Sequence, residues 1–276
     1  MPQLQVRDDD GGRDVAQIPP VDTEQERRYG RVAGTLGLLS VVATFAALPI
    51  GASDVGRQAG AANDRTFLLD VGGSGGGQVA ALVLRSLGLL LVIAIAVFFY
   101  RAIKGRNPAH SGLIAVAGSV SAVIIVACTV YTFFQVRDIG REFVDSGPRT
   151  LDRAQDLLEA GRQESTRRVV NVVQGLAGLA FGVWVSLTSL EAMRVGLLTR
   201  FLGVFGIGAG LASAVGIPVA PALFIAWIGS LATLAVGYWP GGRPPAWDSG
   251  RAVSWDEADA MERSARTARR EEREAR

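Results

Sequence analysis

The stretch Ala80–Tyr100 reads AALVLRSLGLLLVIAIAVFFY, twenty-one residues with a single charge at Arg85. At about 1.5 Å per helical residue it reaches roughly 30 Å, the thickness of the hydrocarbon core of a bilayer. A backbone inside that layer has no water to bond, so a run of this kind must be a helix. Five further runs repeat the pattern, at about 32–52, 112–134, 169–190, 198–216 and 220–239. The last two are joined by Gly216-Ile217-Pro218-Val219-Ala220-Pro221, short enough to force an antiparallel hairpin. The sequence therefore predicts an all-α polytopic integral membrane protein, with six transmembrane helices in a small bundle over 31–239.

Composition agrees. The chain is 49% apolar and 20% charged, and its mean hydropathy is +0.28 although both ends are polar. A soluble domain carries about a quarter charged residues. A soluble enzyme, a secreted disulfide scaffold and a disordered chain are all excluded. The only cysteine, Cys128, lies in an apolar run and reads as a buried thiol. A net charge of +2 with no basic face gives no reason to expect nucleic acid as a partner. The expected partner is the lipid bilayer.

The segments between and beyond the runs differ in character. Residues 1–30, with Asp8-Asp9-Asp10 and Pro19-Pro20, read as a disordered tail. So long a polar leader predicts an uncleaved first helix rather than a signal peptide. Residues 53–79 hold Gly72-Gly73-Ser74-Gly75-Gly76-Gly77, the composition of a flexible linker. The segment 135–168 reads as a partly helical outer unit. In it Ile139, Phe143, Leu151, Ala154, Leu157 and Leu158 recur at helical spacing, with Pro148 placed to open a helix and Gly161 to close it. Residues 240–276 form a charged tail, predicted helical from about 254, where Ser254 and Glu257 have capping-box spacing. That helix is either solvated or a docking element for a protein partner.

Orientation follows from the basic residues beside the spans. Within 135–168 seven bases are matched by seven acids. Outside that segment, ten basic residues flank the spans on the side of the amino terminus and two on the other. Both termini are expected to be cytoplasmic. With 27 Arg, one Lys and 34 Gly, the composition is that of GC-rich coding and reads as a bacterial habit, so the expected location is a bacterial inner membrane.

Helices in lipid associate through small residues and a few hydrogen bonds. Asn171, Gln174, Gly178, Gly182 and Ser186 step along one face of the fourth span, Gly206, Gly210 and Ala214 along the fifth, and Gly118 and Ala122 along the third. These faces are expected to point inward. The functional counterpart of that packing is a polar cavity lined by Asn171, Gln174 and Ser186, with Arg85 in reach. Arg85 lies about 8 Å into its span, where it either snorkels to the interface or serves as an anion-binding cation. Asp54, Asp64 and Asp70 could neutralise it.

Other chemistry is thin. Gly72-Gly73-Ser74-Gly75-Gly76 spells a serine-hydrolase elbow, but no strand precedes it and His110 is expected across the membrane. Gly206-Ile207-Gly208-Ala209-Gly210 lacks the third glycine of a dinucleotide loop at the proper spacing. No acid lies deep in any span, so no metal or cofactor site is expected. Glu191 and Arg194 form a helical ion pair by spacing. The expectation is a non-enzymatic membrane protein with an interaction or accessory role, the alternative being a small-solute transporter or channel-like protein.

Met193–Gly206 reads MRVGLLTRFLGVFG, a basic, glycine-containing entry to the fifth span, and Arg31-Val32-Ala33-Gly34 opens the first in the same manner. In these motifs the chain resembles an uncharacterised family of bacterial six-helix membrane proteins. The resemblance implies architecture alone, because that family has no assigned substrate and no site residue to carry over.

Overall fold

Asp22 starts the first helix, its carboxylate accepting the backbone N–H groups of Glu24 (3.0 Å) and Gln25 (3.1 Å). The computed structural model describes residues 21–50, 62–73, 76–240 and 242–254, with scattered positions from 256 to 271. Among these residues there are helices and no strands. In chain order they are α1 (Thr23–Ile50), α2 (Ala62–Gly73), α3 (Gly76–Arg106), α4 (Gly112–Asp145), α5 (Leu151–Gln163), α6 (Ser165–Arg194), α7 (Arg200–Val215), α8 (Ala220–Val236) and α9 (Ala246–Ser249).

Four of these, α1, α3, α4 and α6, are long and apolar enough to cross a membrane. The apolar α7 and α8 have 16 and 17 residues, about 24–26 Å of helix. The six expected spans thus resolve into four full-length helices and two shorter ones. Chain geometry sets the limits of the short pair. The Thr199 hydroxyl accepts the N–H of Leu202 to start α7 (3.3 Å). Gly216 and Gly237, at φ +75° and +102°, close α7 and α8 in the left-handed conformation that glycine alone adopts without strain.

Packing follows the rule for helices in lipid. Helix α1 lies between α3 and α8, α6 lies between α4 and α7, and α2 lies against α4. Small residues mark the contacts. A Cβ on Gly34 would come within 2.7 Å of the Ala232 carbonyl, and one on Gly210 would meet the Ser186 hydroxyl. Large aliphatic side chains instead cover the outside, as at Val42, Val83, Val116, Leu176 and Val204. An apolar exterior around close-packed small residues suits a lipid environment. Cys128 is buried, as its sequence position suggests.

Several expectations need correction. The first helix begins at Thr23, so the polar residues 23–30 are helical; residues 1–20 lie outside the described residues. The glycine-rich connection is not simply a linker. Residues 62–73 form α2, which packs on α4 with the Gly72 backbone against the carbonyl of Gly140. Helix α4 continues past 134 to Asp145, and α5 opens at Leu151, three residues after Pro148. Gly161 lies inside α5, where a Cβ would run into the Ile139 side chain, so close approach and not termination explains the glycine. Most of the apolar residues picked out in 135–168 pack together: Phe143, Ala154 and Leu158 form a second core with Val136 and with Phe67, Leu68 and Val71 of α2, and Ile139 and Leu157 pack against it.

Candidate functional site

Arg85 lies two and a half turns into α3 and borders two small cavities. One, of about 160 Å³, is enclosed by α2, α3, α4 and α6. Its polar wall consists of Gln78, Arg85, Thr129, Thr132 and Gln174. The other, of about 140 Å³, lies between α1, α3 and α8 beside Ser40, Thr44 and Gly88. In that second space the hydroxyls are committed: Ser40 donates to the Gly88 carbonyl (2.7 Å) and Thr44 to that of Ser40 (2.8 Å). The first is less saturated. Thr129 donates back to Ile125 (2.7 Å), but the buried Thr132 hydroxyl has no hydrogen-bond partner among the described residues. A buried polar group left unmatched costs about 1–3 kcal/mol, so it marks a place where a further polar atom would be welcome.

The structure brings Arg85 and Gln174 to one cavity and leaves the other two expected members out. Asn171, one turn before Gln174, is exposed. Ser186, more than three turns later, donates to the Ile207 carbonyl (3.2 Å) and serves the α6–α7 contact. The reason is the shortness of α7: it covers α6 around Gly182 and Ser186, while Gly175 and Gly178 face open space. Asp54 and Ser74 lie outside the described residues. Asp64 and Asp70 stand on α2, which roofs the cavity; Asp70 is exposed. The glycines 206–210 lie within α7; Gly206 packs against Ser189 and Trp227 and Gly210 against Ser186, while Gly208 faces open space.

A second polar centre escaped the sequence reading. At the opposite end of α3, Arg106 is buried and gives a bidentate pair to Glu26 of α1 (2.7 and 2.8 Å), with side-chain exposures of 0% and 6%. Its remaining N–H groups go to the carbonyls of Ala102 (3.0 Å) and Ala246 (2.7 Å). Trp247 follows directly: its ring stacks on Phe98, lies under the guanidinia of Arg106 and Arg243, and donates its indole N–H to Leu197 (2.9 Å). Val21 donates to Gly250 (2.9 Å) and Val253 to Val195 (3.3 Å). Residues 242–254 are therefore a clasp over this end of the bundle and not a free polar tail. The visible signal was Trp247 itself, a large apolar ring in a proline-rich polar stretch.

The same end carries His110 in the α3–α4 connection, buried beside the Tyr100 ring. Burial lowers its pKa, and Lys104 adds to that effect against the opposing Glu191. Glu191 pairs with Arg194 at 2.8 Å, the contact their spacing predicts. Among the described residues no three His, Cys, Asp or Glu side chains converge.

No curated protein and no solved structure matches this chain. One family model does, over 209 of the 276 residues. It runs from the first apolar run to just beyond the end of α8, takes in all of Met193–Gly206, and starts at Val32, one residue into the motif that opens the first span. The chain belongs to that family, described as a domain of unknown function (DUF4386), which spans residues 32–240.

Proposed function

We propose that this is a non-enzymatic integral membrane protein that binds a small polar solute in the cavity beside Arg85 and conducts it as a carrier or channel-like protein. One observation carries the reading. A cation and an amide from helices far apart in sequence, Arg85 and Gln174, line the same space as a buried hydroxyl, Thr132, that lacks a partner among the described residues. Convergent polar groups inside an otherwise apolar bundle are what a polar ligand site in a membrane requires. The proposed setting is a bacterial inner membrane with the clasp end cytoplasmic, because the ten flanking basic residues belong to that end.

The test uses purified protein in liposomes and detergent against a panel of small carboxylates, phosphates, amino acids and sugars. One class should raise the melting temperature and be taken up, and Gln174→Leu should cut both effects at least tenfold with the fold intact. A panel without any stabilising solute, or full activity in Gln174→Leu, contradicts the reading.

A second reading, docking of a protein partner on the helix after Ser254, has one observation in its favour. Ser254 caps that helix through Glu257 N–H (3.3 Å), and Arg251 pairs with Glu257 (2.6 Å). A partner crosslinked in native membranes should then be lost on deletion of 255–276.

A further inference from the structure

The second groove of note lies on the outside of the bundle, between α1 and α3 at the clasp end. It encloses about 510 Å³, and its walls change character along its length. Towards the bundle centre they are apolar, with Val32, Leu36, Ala94 and Val97. Towards the end they carry Gln25, Tyr29 and Arg101. From Val21 to Leu36 the groove runs about 22 Å along α1. That is one leaflet of a bilayer, headgroup included, since the whole bilayer measures about 40–45 Å.

Charge supplies the second observation. Among the described residues the groove is lined by one acid, Glu26, and both its carboxylate oxygens are taken by Arg106. That pair is buried and neutral as a unit. Two exposed cations belong to this end: Arg101, which lines the groove, and Arg28, which is outside the lining but one turn before Val32 on α1 and so beside the groove's rim. Neither guanidinium has an ion-pair or hydrogen-bond partner among the described residues. The Tyr29 ring, 52% exposed, stands between the polar and apolar portions. It sits at the level where amphipathic rings meet headgroups.

We infer that this groove is a binding site for one anionic glycerophospholipid. Its phosphate sits between Arg28 and Arg101, and one acyl chain runs inward along Val32, Leu36 and Val97. A zwitterionic lipid would bring its own cation to the same mouth and gain less there. The inference is independent of the cavity at Arg85, on the other side of α3, and stands whether or not that cavity takes a solute.

Native mass spectrometry of the full chain in detergent tests it, with phosphatidylglycerol and phosphatidylcholine of identical acyl chains added in turn. The wild type should retain one phosphatidylglycerol in preference to phosphatidylcholine. Arg28→Gln and Arg101→Gln should each lower that retention about five-fold, and the double variant about twenty-five-fold. Arg194→Gln removes an exposed cation at the same end but outside the groove, and should leave retention unchanged. Melting in detergent establishes that each variant is folded. Equal retention of the two lipids, no loss in the double variant, or the same loss in Arg194→Gln overturns the assignment. So does a Val97→Cys chain that crosslinks to its own copy in vesicles, which would give the groove to a second molecule.

Discussion

Arg106 and Glu26 illustrate how a charged pair can be necessary without being a net source of stability. Taken together they cost desolvation, yet removing either partner leaves the other charge buried and uncompensated. Glu26→Gln or Arg106→Gln should therefore lower stability in detergent by about 3–5 kcal/mol, while the double apolar change Glu26→Leu with Arg106→Met should recover most of it. Chemical denaturation of the three variants measures both effects. Trp247→Ala should cost about 3–5 kcal/mol by loss of a fully buried ring. His110 makes a prediction in pH. Its pKa is lowered in the folded chain, so its contribution is fully present above the ordinary value of 6.5 and is lost as pH falls below that towards the folded value. Melting temperature should drop between pH 7.5 and 5.5 in the wild type and drop less in His110→Gln. Neither Arg106 nor Glu26 was legible as a pairing site from sequence. Arg106 looked like one more interfacial charge, because its acid lies 80 positions away.

At the level of the element, legibility depended on whether the signal was local. The apolar runs and the caps at Ser254 and Thr199 are written within a few residues of where they act. So is Ser111, which accepts the Leu113 N–H (3.2 Å) at the start of α4. Helix α2 was missed because a glycine-rich stretch spells a linker unless its partner is known, and the partner, Gly140, is 68 residues on. The polar stripe on the fourth span was half legible for a similar reason. Its periodicity is real, but which half is covered depends on where α7 ends. Gly182 and Gly210, where the α6 and α7 backbones meet, give the sharpest element-level test. Gly210→Ile should separate the two helices and cost about 1–3 kcal/mol by overpacking, whereas Gly178→Ile, facing open space, should cost little. Disulfide crosslinking between cysteines placed on α6 and α7 would follow the separation directly.

For the molecule as a whole, the contacts at Val21–Gly250, Glu26–Arg106 and Leu197–Trp247 gather the amino-terminal end of α1, the carboxy-terminal ends of α3 and α6 and the chain beyond α8 onto one end of the bundle. Helices α2 and α5 share the second core at the other end. That arrangement needs an even number of crossings between Val21 and Gly250, and lipid between the two ends. A single measurement decides it. Cysteines placed one at a time at the exposed positions Glu159 and Arg251, with Cys128 changed to Ala, are probed with an impermeant maleimide in sealed vesicles of both orientations. The two positions should react from opposite faces, Arg251 from the cytoplasmic one. Labelling of both from the same face would contradict it.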